Sequence, residues 1–224
     1  MKWPSIFGAD RITKDDYSNL VKSYYETTIK KGYGNIEVSF NHEWAIDKDS
    51  GEFIFNIVIN TSPDQTLEVG LAQGASTLHF LTALKFIRKG RHTAIDPLQS
   101  GFSDVGLSEM SRLGLDNRLR FFRERSDIVL PKLRENNETF QVCLIDGDHR
   151  FDAVFVDFYM IDKVLDIGGF IIFDEAGTGP TEKVISFIKN NLKNYEFQTD
   201  IPNRFRVIKK LDIDRRDWTD KFDF

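Results

Sequence analysis

The chain has 224 residues, 41% hydrophobic and 29% charged, enough to bury one full core with an appendage. Thirty Lys and Arg against 35 Asp and Glu leave a net charge of −5 with no basic block, which excludes a general binder of the nucleic-acid backbone but not a small-molecule substrate. No run approaches the ~20 apolar residues of a membrane span, and Met1–Asp10 carries charge and a proline where a signal peptide is apolar, so a cytoplasmic protein without membrane attachment is expected.

Residues 11–31 read as a helix, with Tyr17, Leu20, Val21, Tyr24 and Tyr25 at spacings of three and four, ended by Gly32 and Gly34. Residues 35–65 read as a less regular connection that finishes at Ser62-Pro63-Asp64. From residue 66 short apolar runs alternate with helices. The predicted strands are Thr66–Val69, His92–Asp96, Leu119–Phe122, Gln141–Asp146 and Phe170–Asp174. Helices are predicted over Ala75–Lys89, before Gly114, from Ser126 as N-cap, over Phe151–Leu165, and after Pro180 through Val184, Ile185, Ile188 and Leu192. The single cysteine, Cys143, lies in the apolar run Val142–Ile145 and is expected to be a buried, reduced thiol, because an apolar setting raises its pKa.

Strands alternating with helices imply a mostly parallel sheet covered on both faces. At the end of the chain Tyr195–Thr199 and Arg204–Ile208 are joined by so short a link that they must be antiparallel neighbours. The expected fold is α/β, Rossmann-like and doubly wound, with an N-terminal appendage over residues 1–62 and the main domain over 63–224.

The stretch Leu67-Glu68-Val69-Gly70-Leu71-Ala72-Gln73-Gly74 runs from strand to helix, and its glycines let the backbone turn sharply and a ligand approach it closely. In an open α/β sheet such a loop faces the ligand crevice outside the carboxyl ends of the strands. A dinucleotide site wants G-x-G-x-x-G, and this loop lacks the glycine that admits a pyrophosphate. Glu68 would repel a diphosphate but suits a ligand carrying an ammonium and a sulfonium. Asp96, at the end of the second predicted strand, can accept both hydroxyls of a ribose.

Residues 64–197 resemble class I S-adenosylmethionine-dependent methyltransferases, particularly the bacterial branch called methyltransferase family 24. The resemblance rests on Leu67–Thr77, Ala94-Ile95-Asp96-Pro97, Leu144-Ile145-Asp146-Gly147-Asp148-His149 and Gly168–Glu175, in that order and at strand ends. It implies a seven-stranded sheet with a reversed last strand. It also implies that Glu68, Gly70 and Gly74 face the amino-acid portion of S-adenosyl-L-methionine, with Ala72, Ser76 and Asp146 among the cofactor-binding residues. Asp96 would take the ribose hydroxyls, and Ser126 would border the adenine unless it is a plain helix N-cap.

Asp146 and Asp148 end one predicted strand, and Asp174 and Glu175 end its neighbour, so four acids should converge at one edge. They repel unless a cation, a base or solvent compensates. Related O-methyltransferases imply Asp146, Asp174 and Glu175 as ligands of Mg²⁺, with Glu175 a departure from the usual Asp or Asn. Alternatively Asp146 orients the cofactor amine and the other acids cap loops. His149 is the candidate general base, since imidazole titrates near ~6.5. His79 and His92 are read as structural, and His42 as a residue that could reach a substrate.

The expected activity is O-methylation of a hydroxyl on a small molecule, a sugar or secondary metabolite, with Asp146 and His149 as catalytic residues. The rival readings are a nicotinamide-dependent oxidoreductase and a catalytically silent cofactor-binding module. Residues 1–62 would cover the substrate or form the contact of a homodimer.

Overall fold

A computed structural model describes residues 12–177, 179–217, 219 and 220. Helix α1 (Lys14–Glu26) begins at a reciprocal cap in which Thr13 Oγ1 accepts the Asp16 N–H at 3.1 Å and Asp16 accepts the Thr13 N–H at 2.7 Å. The helix stops five residues short of its predicted end. Ile29–Lys31 instead form strand β1, antiparallel to β2 (Glu37–Ser39), with Lys30 turned inward. The β-branched run Thr27-Thr28-Ile29 favours this exit from the helix.

Residues 35–65, expected to be irregular, contain helix α2 (Lys48–Thr61), capped by Asp47, whose Oδ1 accepts the Ser50 N–H at 2.8 Å. Its buried face is Ser50, Gly51, Ile54, Phe55 and Val58, a helical spacing. The near-continuous apolar run Phe53–Ile59 hides that period in the sequence, and packing on the next helix decides it.

The main sheet is built from β3 (Gln65–Val69), β4 (Arg91–Ile95), β5 (Leu119–Phe122), β6 (Phe140–Ile145), β7 (Leu165–Phe173), β8 (Tyr195–Phe197) and β9 (Arg206–Lys210). Their spatial order is β5-β4-β3-β6-β7-β9-β8. All pairings from β5 to β7 are parallel, and β9 alone runs backward, between β7 and β8. This is the expected seven-stranded sheet with a reversed last strand. The connecting helices are α3 (Ala75–Ile87), α4 (Val105–Arg112), α5 (Ser126–Glu135), α6 (Phe151–Asp162) and α7 (Gly179–Asn191).

Alternation along the strands divides the core. Leu144, Ile172 and Val207 face α1, α2 and α3, while Cys143, Ile145, Ile171 and Ile208 face α5, α6 and α7. The first cluster holds Tyr24, Ile54 and Phe55 together with Leu78 and Phe80, so the N-terminal helices pack on the sheet's own helix layer. Cys143 is fully buried, and burial pushes its thiol well above the usual range. The chain winds outward from β3 to β4 and β5, then returns to β6 on the other side of β3. Ligand crevices open at such a reversal, beyond the carboxyl ends of the strands.

Candidate active site

A cleft of about 530 Å³ lies at this reversal, walled by Gly70, Ala72, Asp96, Ser126, Asp146 and Asp157 among others. Gly70 leaves β3 with φ of +94°, and an added Cβ would stand 1.9 Å from the Asp146 carbonyl oxygen. The strand ends are tied sideways here: Gly70 donates to Ile95 O, Asp146 to Val69 O, and Asp174 to Ile145 O, at 2.9, 2.9 and 3.0 Å. Only a glycine fits so crossed a point.

Asp96 organises the loop. Its Oδ2 accepts the N–H groups of Leu71 (3.1 Å) and Ala72 (2.8 Å) and Nε2 of Gln99 (2.9 Å), and its Oδ1 accepts the Leu98 N–H at 2.7 Å. Oδ1 keeps a second lone pair, which suits a ribose hydroxyl. Gln99 also donates to Ala72 O, holding Ala72 in its left-handed conformation (φ +44°). Gln73 accepts from Asn41 N–H and donates to Ser39 O, while Tyr24 donates to Gln73 O. Sequence reasoning passed over Gln73 and Gln99. Their signal was a polar side chain in or beside a loop whose backbone needs partners.

Glu68 is directed elsewhere. Its carboxylate is fully buried behind the loop, accepting from Ser76 Oγ at 2.8 Å and from Thr77 Oγ1, with His92 Nε2 at 3.1 Å. It anchors β3 to the first turn of α3 and does not line the cleft. Gly74 is likewise behind the loop, at φ +89°, where a Cβ would press on Gly106 of α4. Ser76 reaches a small cavity shared with Trp44 and Asp146.

Ser126 lies at the opposite end of the cleft. It stands in the first turn of α5 after Arg125 at the cap position, rather than at the cap itself, and its hydroxyl is bonded to Asp157. Asp157 is 3% exposed, and burial raises its carboxyl to about 6. A raised folded-state value means that the folded protein holds this proton more tightly than the unfolded chain. The associated stability is therefore present below the ordinary value of 3.8 and lost as pH rises toward 6. Asp157→Asn is expected to stabilise the protein by about 2 kcal/mol near pH ~8 and by little near pH ~4, read from urea melts. An equal effect at both pH values would show that ionisation is not the cause.

The four acids do not pool into one oxygen cluster. Asp148 turns outward to Arg150, with its Oδ2 at 2.7 Å from Nη2. Asp174, whose side chain is fully buried, takes Arg204 Nε at 2.5 Å and Nη2 at 2.6 Å. Glu175, at φ +49°, has Oε2 at 3.1 Å from His149 Nδ1, and Asp146 Oδ1 lies 3.6 Å from His149 Nε2. Burial and the neighbouring Asp174 carboxylate push the Asp146 carboxyl well above its usual range. Among the described residues no group of three or more His, Cys, Asp and Glu is disposed to hold a metal ion. The set Asp146, Asp174 and Glu175 does not fit Mg²⁺, because the Arg204 guanidinium puts a fixed positive charge against both oxygens of Asp174 and Glu175 is paired with His149.

Of the other histidines, two are enclosed and one is exposed. His79 is enclosed by Tyr17 and Tyr25, with its Nδ1 2.8 Å from Tyr17 Oη, and burial lowers it to about 3. His92 stacks on Phe80 with its Nδ1 2.8 Å from Thr66 Oγ1. His42 is exposed and lines a cavity of about 560 Å³ with Trp44 and Phe102, and Phe102 also borders the main cleft.

Residues 67–176 match the family described as a methyltransferase domain. No curated protein sequence matches the chain significantly. Similar solved structures include the O-methyltransferase TomG from Streptomyces achromogenes in complex with S-adenosylmethionine, 14% identical, with a TM-score of 0.64 over 88% of this chain and 89% of that one. An O-methyltransferase from Bacillus cereus bound to S-adenosylhomocysteine is 15% identical, with a TM-score of 0.61 over 88% and 90% of the two chains. A methyltransferase from Podospora anserina, also bound to S-adenosylhomocysteine, is 11% identical, with a TM-score of 0.63 over 92% and 100%. At these identities the likeness speaks for the fold. The matched segment holds the Gly70 loop, Asp96 and the Asp146 strand end, and over it the chain carries the methyltransferase domain of that family, on the fold shared with S-adenosylmethionine-dependent methyltransferases.

Proposed function

We propose that the chain methylates a hydroxyl oxygen of a small molecule, with His149 as the general base. The observation that carries this reading is the imidazole at the carboxyl edge of the sheet, with Nδ1 on the Glu175 carboxylate at 3.1 Å and Nε2 facing the Asp146 carboxyl at 3.6 Å. TomG and the Bacillus cereus protein are described as O-methyltransferases, and the oxygen acceptor is carried over from them.

The cradle fits S-adenosylmethionine: the Gly70 backbone can be approached closely, Asp96 keeps a lone pair for a ribose hydroxyl, and a cleft of this size suits a ligand of its dimensions. Ser126 and Asp157 would border the adenine, and Ala72, Ser76 and Asp146 the amino-acid end. The cofactor supplies a methyl carbon made electrophilic by its bond to positive sulfur. His149 takes the acceptor's hydroxyl proton as the oxygen bonds to that carbon and the carbon–sulfur bond breaks. The products would be a methyl ether, S-adenosylhomocysteine and an imidazolium, whose charge the Glu175 carboxylate beside Nδ1 would stabilise. Alignment and proton removal are what such a displacement needs, so no nucleophilic side chain is required. The described part of the N-terminal appendage, residues 12–62, serves as the acceptor's cover, with His42, Trp44 and Phe102 around its entrance.

The test is a panel of hydroxylated small molecules incubated with S-adenosylmethionine and analysed by mass spectrometry for methyl ethers. With a found acceptor, His149→Ala is expected to lower kcat about 10²- to 10⁴-fold while S-adenosylhomocysteine affinity stays within about twofold of wild type. Unchanged kcat removes His149 from the proton transfer, and methylation confined to nitrogen acceptors overturns the hydroxyl reading.

A further inference from the structure

The acids at the ends of β6 and β7 come with a cation that belongs to the chain. Arg204 lies in the connection between β8 and β9, two residues before the strand that pairs backward along β7, with Phe173 opposite Arg206. Ala176 N–H donates to Arg204 O at 2.8 Å, fixing the backbone there. The guanidinium meets Asp174 through two parallel N–H contacts, the geometry a planar fork gives with a carboxylate. Its third nitrogen, Nη1, donates to Ala45 O at 3.1 Å, in the segment before α2. Ala45 helps wall the small cavity that also contains Trp44, Ser76 and Asp146.

We propose that Arg204 occupies, as a fixed charge of the protein itself, the place a divalent cation would take beside Asp146 and Asp174, so that this methyltransferase works without a metal. The proposal rests on the methyl-transfer reading above. Both Asp174 oxygens already accept an Arg204 N–H, and a metal approaching their remaining lone pairs meets the positive charge of the guanidinium. Arg204 does not lose its proton, since its partner carboxylates hold it above even the ordinary guanidinium range. Its charge acts on the Asp146–Asp174 pair, whose carboxyls lie within hydrogen-bond contact and where Asp174 raises Asp146 while Arg204 draws it back down. Through Ala45 the same side chain fixes the cover over the reacting end of the cleft. Arg204 is thus a positioning residue, acting through Asp174 and the cover.

The experiment is a thermal melt of the full chain saturated with S-adenosylhomocysteine, with MgCl₂ or with EDTA, for wild type, Arg204→Ala and Arg204→Lys. Wild type and Arg204→Lys are expected to melt at one temperature in both solutions. Arg204→Ala is expected to melt lower in EDTA and to regain about 2–4 °C with Mg²⁺ at roughly ten times its dissociation constant. A merely structural arginine would not create a response to Mg²⁺. Wild type stabilised by Mg²⁺, with the effect lost in Asp174→Asn, overturns the proposal, as does Arg204→Ala that folds and ignores Mg²⁺. Should Arg204→Ala fail to fold, calorimetric titration of Mg²⁺ into wild type and into Arg204→Gln decides: binding to the variant alone supports the proposal, and any other pattern overturns it. Absence of any response of wild type to S-adenosylhomocysteine would instead count against the cofactor reading.

Discussion

Gly70→Ala is expected to abolish detectable S-adenosylhomocysteine binding and to lower stability by about 2–5 kcal/mol. Two costs combine. The residue holds φ of +94°, a region that side chains with a Cβ rarely enter, and the new methyl would stand 1.9 Å from the carbonyl oxygen of Asp146 and 2.7 Å from its carbonyl carbon. Neither partner can retreat. Val69 and Ile145 are in register across β3 and β6, and the Asp146 N–H donates to Val69 O. Relief must come from parting the two strand ends that form the floor of the cleft. Gly34→Ala is the control: its φ is +68° but open space surrounds it, so it carries the conformational cost of about 1 kcal/mol without the collision. Urea melts and calorimetric titration of both variants check this. A Gly70→Ala protein with wild-type affinity would show that the loop does not hold the cofactor.

Asp96→Ala comes second. Three backbone N–H groups, those of Leu71, Ala72 and Leu98, and the amide of Gln99 lose their acceptor in a place that is 5% exposed. Each buried donor left unpaired costs about 1–3 kcal/mol, so a loss of about 3–5 kcal/mol is expected after partial rehydration. Affinity for S-adenosylhomocysteine should fall at least about 100-fold if the proposed ribose contact is lost together with the loop shape. Asp96→Asn separates these roles. It keeps the volume and one acceptor, and is expected to lose about tenfold in affinity with about half the stability cost. Equal affinity in Asp96→Asn and wild type would confine Asp96 to shaping the loop.

Much of the cleft at the ends of β3 and β4 is legible in the sequence because its parts are short and local. Gly70 and Asp96 each follow a strand whose apolar run announces it, and Leu119–Phe122 begins and ends where the pattern predicts. The reversed last strand follows from a link too short for a parallel crossover. Glu68 shows the limit of that reasoning. Its place in the loop stretch suggested a contact with a positively charged ligand, but strand alternation turns it inward, where Ser76, Thr77 and His92 enclose it. Helix α2 was hidden for a related reason: Phe53–Ile59 is apolar but for Asn56, and the neighbouring helix selects which face is buried.

By itself, then, the sequence determined the alternating strands and helices, the loop after β3 and the acid after β4, since each depends on contacts among near neighbours and on period. The partners of the acids at β6 and β7 were decided by tertiary structure alone. Arg204 is 30 residues from Asp174 and 159 from Ala45, and no spacing rule joins them. A backward strand inserted beside β7 carries the guanidinium to a buried carboxylate. The physical reason is electrostatic: removing Asp174 from water requires a compensating charge, and the fold supplies it from a distant part of the chain.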